Sequence, residues 1–177
     1  MNLNRNVGEL YELWAKKDGY CEKRFFDTVI DDFCQYKGGT AEGQQTKGKT
    51  FNAGYELFIY AFFLGLYSNV RRPLVGETKK FGQPVGFWGN VTQKGRTNYS
   101  KIREYIFASL IVKTDIDFIK LEKGEVTPEE VVSRLTKTMW EYANGGFYMM
   151  NEKLESIPDY FTGNDDFLNF LIQHCQK

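Results

Sequence analysis

Apolar side chains at Val7, Leu10, Tyr11 and Trp14 fall at i, i+3, i+4 and i+7, the spacing that lines one face of an α-helix over residues 6–17. The pattern returns over 22–36, with Phe25, Phe26, Val29, Ile30 and Phe33 inside and Asp27, Asp31 and Asp32 on the wet side. From Tyr55 to Tyr67 polar positions nearly vanish, which predicts a helix at the centre of its fold. Asn52 is its expected cap, Ser68-Asn69 its expected end, and Pro73 forbids easy continuation. Ser100 opens a further helix with Ile102, Tyr105, Ile106 and Leu110 as its stripe, and Ile116 to Leu121 continues it after a kink.

Thr127-Pro128-Glu129-Glu130 is the strongest local signal: an N-cap, a proline at the first helical position and a glutamate three residues on. The helix it starts carries Val131, Leu135, Met139, Trp140 and Tyr142. Asn144-Gly145-Gly146 is then expected to end it with a left-handed cap, because Asn and Gly tolerate positive φ. A last helix begins at Asn164-Asp165-Asp166 and runs through Phe167, Leu168, Leu171 and Ile172. The prediction is an all-α, single-domain bundle of about six or seven helices over 1–177. Two glycine-rich stretches, 36–51 and 74–98, read as mobile loops flanking the central helix.

Composition supports a packed domain. Aromatic residues make up 16% of the 177, with fifteen Phe and eleven Tyr as core material. The longest apolar run, Leu57 to Tyr67, is too short for the roughly 20 residues a membrane helix needs. No charged region followed by an apolar stretch opens the chain, so no secretory leader is expected. Cys21, Cys34 and Cys175 are odd in number and widely spaced beside one histidine, His174, so neither a disulfide framework nor a metal site is expected. Cys34, on a buried stripe, reads as core. The expectation is a cytoplasmic protein with reduced thiols and no cofactor.

Charge changes the picture more. Net charge is zero, yet residues 35–103 hold eleven Lys and Arg against three Glu and no Asp. Such segregation suits a basic surface meeting an anionic partner, DNA being the commonest; pairing within the fold explains it equally well. The candidate anion-binding residues are Lys47 and Lys49 (with Lys37) on the first loop and Arg71 and Arg72 after the central helix. Lys79, Lys80, Lys94 and Arg96 on the second loop complete them. Arg71-Arg72 also has a structural reading, as cations at a helix C-terminus. Phe87, Trp88 and Tyr99 beside Lys94 and Arg96 suit base stacking, and suit equally a loop tucked onto helices.

Gly43 to Thr50 matches the phosphate-loop pattern GxxxxGK[ST], with Gly48, Lys49 and Thr50 as its nucleotide-binding candidates. The pattern requires a strand before it, and residues 35–42 contain no apolar run to supply one. Paired carboxylates at Asp31-Asp32, Glu129-Glu130 and Asp165-Asp166 are explained by a solvated face and by helix N-termini rather than by glycosidase chemistry. No catalytic residue is assigned, and the sequence points away from an enzyme.

Two blocks carry a resemblance. Tyr55 to Leu74 joins an apolar helix to a Leu-Gly-Leu turn and an Arg-Arg-Pro-Leu exit, and Trp140 to Gly146 reads Trp-Glu-Tyr-Ala-Asn-Gly-Gly. Both, in this order, resemble the small helical accessory proteins of bacterial DNA phosphorothioation (Dnd) systems. The resemblance implies a component of a DNA-modification or phage-defence island, without an activity of its own. The leading expectation is therefore a non-enzymatic accessory protein contacting DNA, or a DNA-bound complex, through its basic loops. The alternatives are a protein-interaction or self-association subunit, and a nucleotide-binding protein using 43–50.

Overall fold

The computed structural model describes residues 3–34, 50–89, 100–163 and 165–175. The fold is all-α, with seven α-helices and one two-stranded ribbon among the described residues. The chain forms two compact units: Met1–Gly19 with Phe81–Met139, and Tyr20–Lys80 with Trp140–Lys177.

The first unit contains α1 (Leu3–Ala15), a 3₁₀ turn (Val85–Phe87), α4 (Ser100–Lys113), α5 (Phe118–Glu122) and the start of α6 (Pro128–Ser156). Its core is aromatic: Phe107 packs on Tyr11 at 5.2 Å and on Trp14 at 5.4 Å between ring centroids. Phe81, Val85 and Trp88 are buried, so this part of the second loop is tucked in. Arg103 ties the turn to α4, its Nη1 donating to the carbonyls of Gly86 (2.6 Å) and Trp88 (2.7 Å). The expected kinked continuation at 116–121 is a separate helix, α5, because the Asp117 carboxylate caps the amides of Ile119 and Lys120 and starts a new turn. The capping box holds as read: Thr127 N donates to Glu130 Oε2 at 2.8 Å and Glu130 N to Thr127 Oγ1 at 3.2 Å.

The second unit contains β1 (Tyr20–Glu22), a π-helical turn (Phe26–Ile30), α2 (Asp31–Phe33), α3 (Gly54–Tyr67), β2 (Thr78–Lys80), most of the rest of α6, and α7 (Asp166–Cys175). The helix expected over 22–36 is shorter and wider than its pattern suggested. Pairing of β1 with β2 takes its first residue, Glu22, and the π turn that follows still buries Phe26, Val29 and Ile30. β2 lies in the predicted loop and pairs antiparallel with a segment over 50 residues away, Tyr20 opposite Lys80 and Glu22 opposite Thr78. Asn52 does not cap α3. Ala53 takes the cap position, and the Glu56 carboxylate reaches back to the Asn52 amide. Asn69, at φ 52°, closes the helix as expected.

Asn144-Gly145-Gly146 does not end a helix; α6 runs through it without a break to Ser156. The glycines serve packing. A Cβ on Gly145 would collide with the Val70 carbonyl, one on Gly146 with the Ala61 carbonyl, and one on Gly65 with that of Tyr142. The two backbones approach so closely that side chains are excluded on both sides of the crossing. Farther along, Phe161 and Phe167 stack at 4.5 Å, and Phe33 and Phe51 meet Phe167 edge-on at 5.1 and 4.9 Å, a second aromatic core that holds α7.

Candidate functional site

The predicted cations divide into two groups. Lys37, Lys47, Lys49, Lys94 and Arg96, together with Gly48, lie outside the described residues, as does Tyr99. Thr50 is described: it is exposed and sits in a bend before Phe51. Arg71, Arg72, Lys79 and Lys80 all fall in the second unit.

Arg71 serves the fold. Its Nε lies 2.5 Å from Glu141 Oε2, and that carboxylate is buried, so the pair clamps the exit of α3 onto α6. The Arg72 amide adds a hydrogen bond to the Glu141 carbonyl at 3.0 Å. The Arg72 side chain is freer. Its Nη2 stands 3.6 Å from Glu152 Oε1, too far for a hydrogen bond, and its guanidinium lies over the Tyr148 ring at 4.5 Å from the centroid. Lys79 and Lys80 are exposed on β2, with the Lys79 ammonium 4.0 Å from the centre of the Phe26 ring.

Beside them is a polar cluster centred on Glu22, the first residue of the helix predicted over 22–36. Glu22 ends β1 and is only 3% exposed, yet carries a carboxylate. Its Oε1 accepts from the Val75 amide at 3.1 Å and from Asn144 Nδ2 at 3.0 Å. Its Oε2 accepts from Arg24 Nε at 2.8 Å, and the Tyr148 hydroxyl donates to both oxygens at 3.3 Å. A carboxylate offers about four lone-pair directions, so this one is fully used. Glu22 is thereby a structural anion holding β1, the 72–75 segment and α6 together.

Two consequences follow. Asn144, fully buried, gives its amide nitrogen also to the Arg72 and Pro73 carbonyls, while its Oδ1 has no donor among the described residues. Arg24, locked at Nε, lies over the same Tyr148 ring as Arg72, 4.2 Å from its centroid. Its Nη groups make no hydrogen bond among the described residues, and half of the side chain is exposed. An open cleft of about 440 Å³ runs alongside, lined by Glu22, Lys23, Arg24, Asp27, Val75 and Glu77. Across it Lys23 pairs with Glu77 at 2.7 Å, which raises the lysine's pKa and lowers the glutamate's through that hydrogen bond.

This arrangement suits an oxyanion. It presents guanidinium donors at a part-buried aromatic ring, with a buried carboxylate fixing one of them. Sequence reasoning missed Glu22, Arg24 and Tyr148; Glu22 stands directly before Lys23 and Arg24 and reads as one more surface charge. The other chemical candidates are quiet. Burial pushes the Cys21 thiol far up, and Cys34 is fully buried. His174 holds the Phe170 carbonyl through Nδ1 at 2.7 Å. Among the described residues no group of three His, Cys, Asp or Glu side chains is placed to hold a metal ion, and no helix is long and apolar enough to cross a membrane. Comparison with protein-family models, with characterised proteins and with solved structures finds no match to this chain.

Proposed function

We propose that this chain is a cytoplasmic, non-enzymatic accessory protein that contacts DNA, or a DNA-bound complex, through phosphate-directed cations. The observation that carries the reading is the exposed strand β2, where Lys79 and Lys80 stand on a ribbon whose other strand leads directly into Lys23 and Arg24. Arg72 enters the same neighbourhood through Tyr148. Arg72, Lys79 and Lys80 belong to the segment whose eleven cations face only three glutamates in the sequence, and Lys23 pairs with its Glu77. The likeness of 55–74 and 140–146 to accessory proteins of DNA phosphorothioation systems supports a role in a DNA-modification or phage-defence system.

Phosphate contact gives salt-dependent affinity with little base reading. Fluorescence anisotropy of a labelled duplex across a salt series tests this. Binding with a log–log slope of several counterions is expected, and Lys79→Glu with Lys80→Glu should lower that slope by about 2. No binding at about 50 mM salt overturns the reading. Arg71 is a poor probe, since its loss strands the buried Glu141 carboxylate.

A second reading, a protein-interaction or self-association subunit, draws on α4, which carries apolar residues on its wet side as well as its buried one. Tyr105 is 63% and Val112 81% exposed. Sedimentation velocity across concentration, with Val112→Lys as the control, reads this surface.

A further inference from the structure

We propose that Arg24, Arg72 and Tyr148 form a clamp for a single phosphate group. The two arginines lie 48 residues apart in the chain and reach one ring from different segments, at 4.2 and 4.5 Å from its centroid. Both guanidiniums thus border one ring, and the clamp requires them to meet a tetrahedral oxyanion with several acceptor oxygens from the same side of it. Tyr148 positions both. Its hydroxyl is spent on Glu22, which fixes the ring, and Glu22 also takes Arg24 Nε, which fixes that guanidinium. What remains outward is donor capacity: both Nη groups of Arg24 and the Arg72 guanidinium make no hydrogen bond among the described residues. Planar guanidinium groups held in this way match phosphate geometry better than flexible lysines do.

The charges around the pair set the terms. Glu22 neutralises one arginine from beneath. Glu152, 62% exposed and 3.6 Å from Arg72, is the competing anion, and solvent screens that pair. Asp27 and Glu77 line the adjoining cleft, and Glu77 is taken up by Lys23. A phosphate reaching the clamp displaces Glu152 alone.

The clamp rests on the nucleic-acid reading for the source of its phosphate, a backbone group, and the test separates the two. Anisotropy with labelled duplex across salt is combined with calorimetric titration of inorganic pyrophosphate. Arg24→Gln and Arg72→Gln are each expected to weaken DNA binding several-fold and to lower the salt slope by about 1. Because one phosphate is shared, the double variant should lose little more than either single one. Tyr148→Leu removes the ring that both arginines lie over and should behave like the arginine variants. Glu152→Gln removes the competitor and should tighten binding. If the clamp variants bind as wild type while reversal of Lys79 and Lys80 weakens binding, the clamp falls and the DNA reading stands. If DNA is ignored but pyrophosphate binds and is lost in Arg24→Gln, the clamp stands and the DNA reading falls. Binding of neither overturns both.

Discussion

Within a few residues of one another on α6, the chain is held by opposite means. At Gly145 and Gly146 it meets α3 and the segment leaving it through the absence of side chains, backbone against the carbonyls of Val70 and Ala61. At Asn144 and Tyr148 it is held by polar atoms converging on the buried Glu22 carboxylate. The first contact has no slack, because its obstacles are main-chain atoms that cannot rotate away. The second is redundant, because Glu22 keeps other donors when one is lost. Rigidity thus comes from the glycines, and the adjustable polar chemistry sits next to them.

The largest expected effect tests the side without slack. Gly146→Ala should lower unfolding stability by about 3 kcal/mol, the upper range for overpacking, because the added methyl meets the Ala61 backbone. The control is Gly8→Ala in α1, where nothing lies within 4 Å, and a gain of about 0.5–1 kcal/mol is expected from helix propensity. Denaturant melts of both measure the contrast. A tolerated Gly146→Ala would mean the crossing is looser than these distances require.

On the polar side, Glu22→Gln keeps the shape and removes the charge. Arg24 then loses its partner, and the new amide brings a donor to a place already crowded with donors. A loss of about 2 kcal/mol is expected, smaller than at Gly146 because Arg24 is half exposed and solvent takes up part of its charge. If Glu22→Gln costs more than Gly146→Ala, the ranking of the two contacts reverses.

This comparison also explains what could be read from the chain alone. Helices 6–17 and 55–67, the helix opened by Ser100 and the capped start at Thr127 were legible because their signals are local: a repeating stripe, a proline, a box of four residues. Asn144-Gly145-Gly146 was misread because glycine has two uses that look alike in sequence, turning the chain or admitting another backbone. Only Gly65, 80 residues earlier, distinguishes them. The blocks 55–74 and 140–146 supply the two sides of that crossing. The Glu22 cluster was invisible because its members, Glu22, Val75, Asn144 and Tyr148, come from three separate segments. Lys79 and Lys80 were found by charge alone, and the strand that presents them was not.

A smaller effect belongs to a purely local contact. Thr127→Ala removes the cap of α6 and should cost about 1 kcal/mol. The Thr127 backbone amide and hydroxyl hold the Glu130 carboxyl below the usual glutamate range. A carboxyl depressed on folding contributes fully above its unfolded pKa and loses that contribution as pH falls through the folded one. The acid-side loss of stability should therefore be shallower in Thr127→Ala than in the wild type, which thermal melts from pH 6 down to about pH 3 would read.

The smallest effect is also the one that localises the other two. Cys21 adjoins Glu22 in β1 and donates its thiol to the Glu22 carbonyl at 3.4 Å, while Cys34 follows α2 and bridges to Phe51. Both are fully buried, and burial raises the Cys21 pKa, so neither is open to reagent, whereas Cys175 is exposed. Native protein should therefore label at one thiol with a disulfide reagent near pH 8, and at all three in denaturant. The variants then separate. Glu22→Gln loosens the polar cluster alone, so Cys21 should become reactive while Cys34 stays protected. Gly146→Ala loosens the crossing on which the whole unit is packed, so Cys21 and Cys34 should open together at one rate. Equal exposure of both thiols in Glu22→Gln would show that the polar cluster and the glycine crossing are one cooperative element, because local opening must then pass through the same unfolded unit.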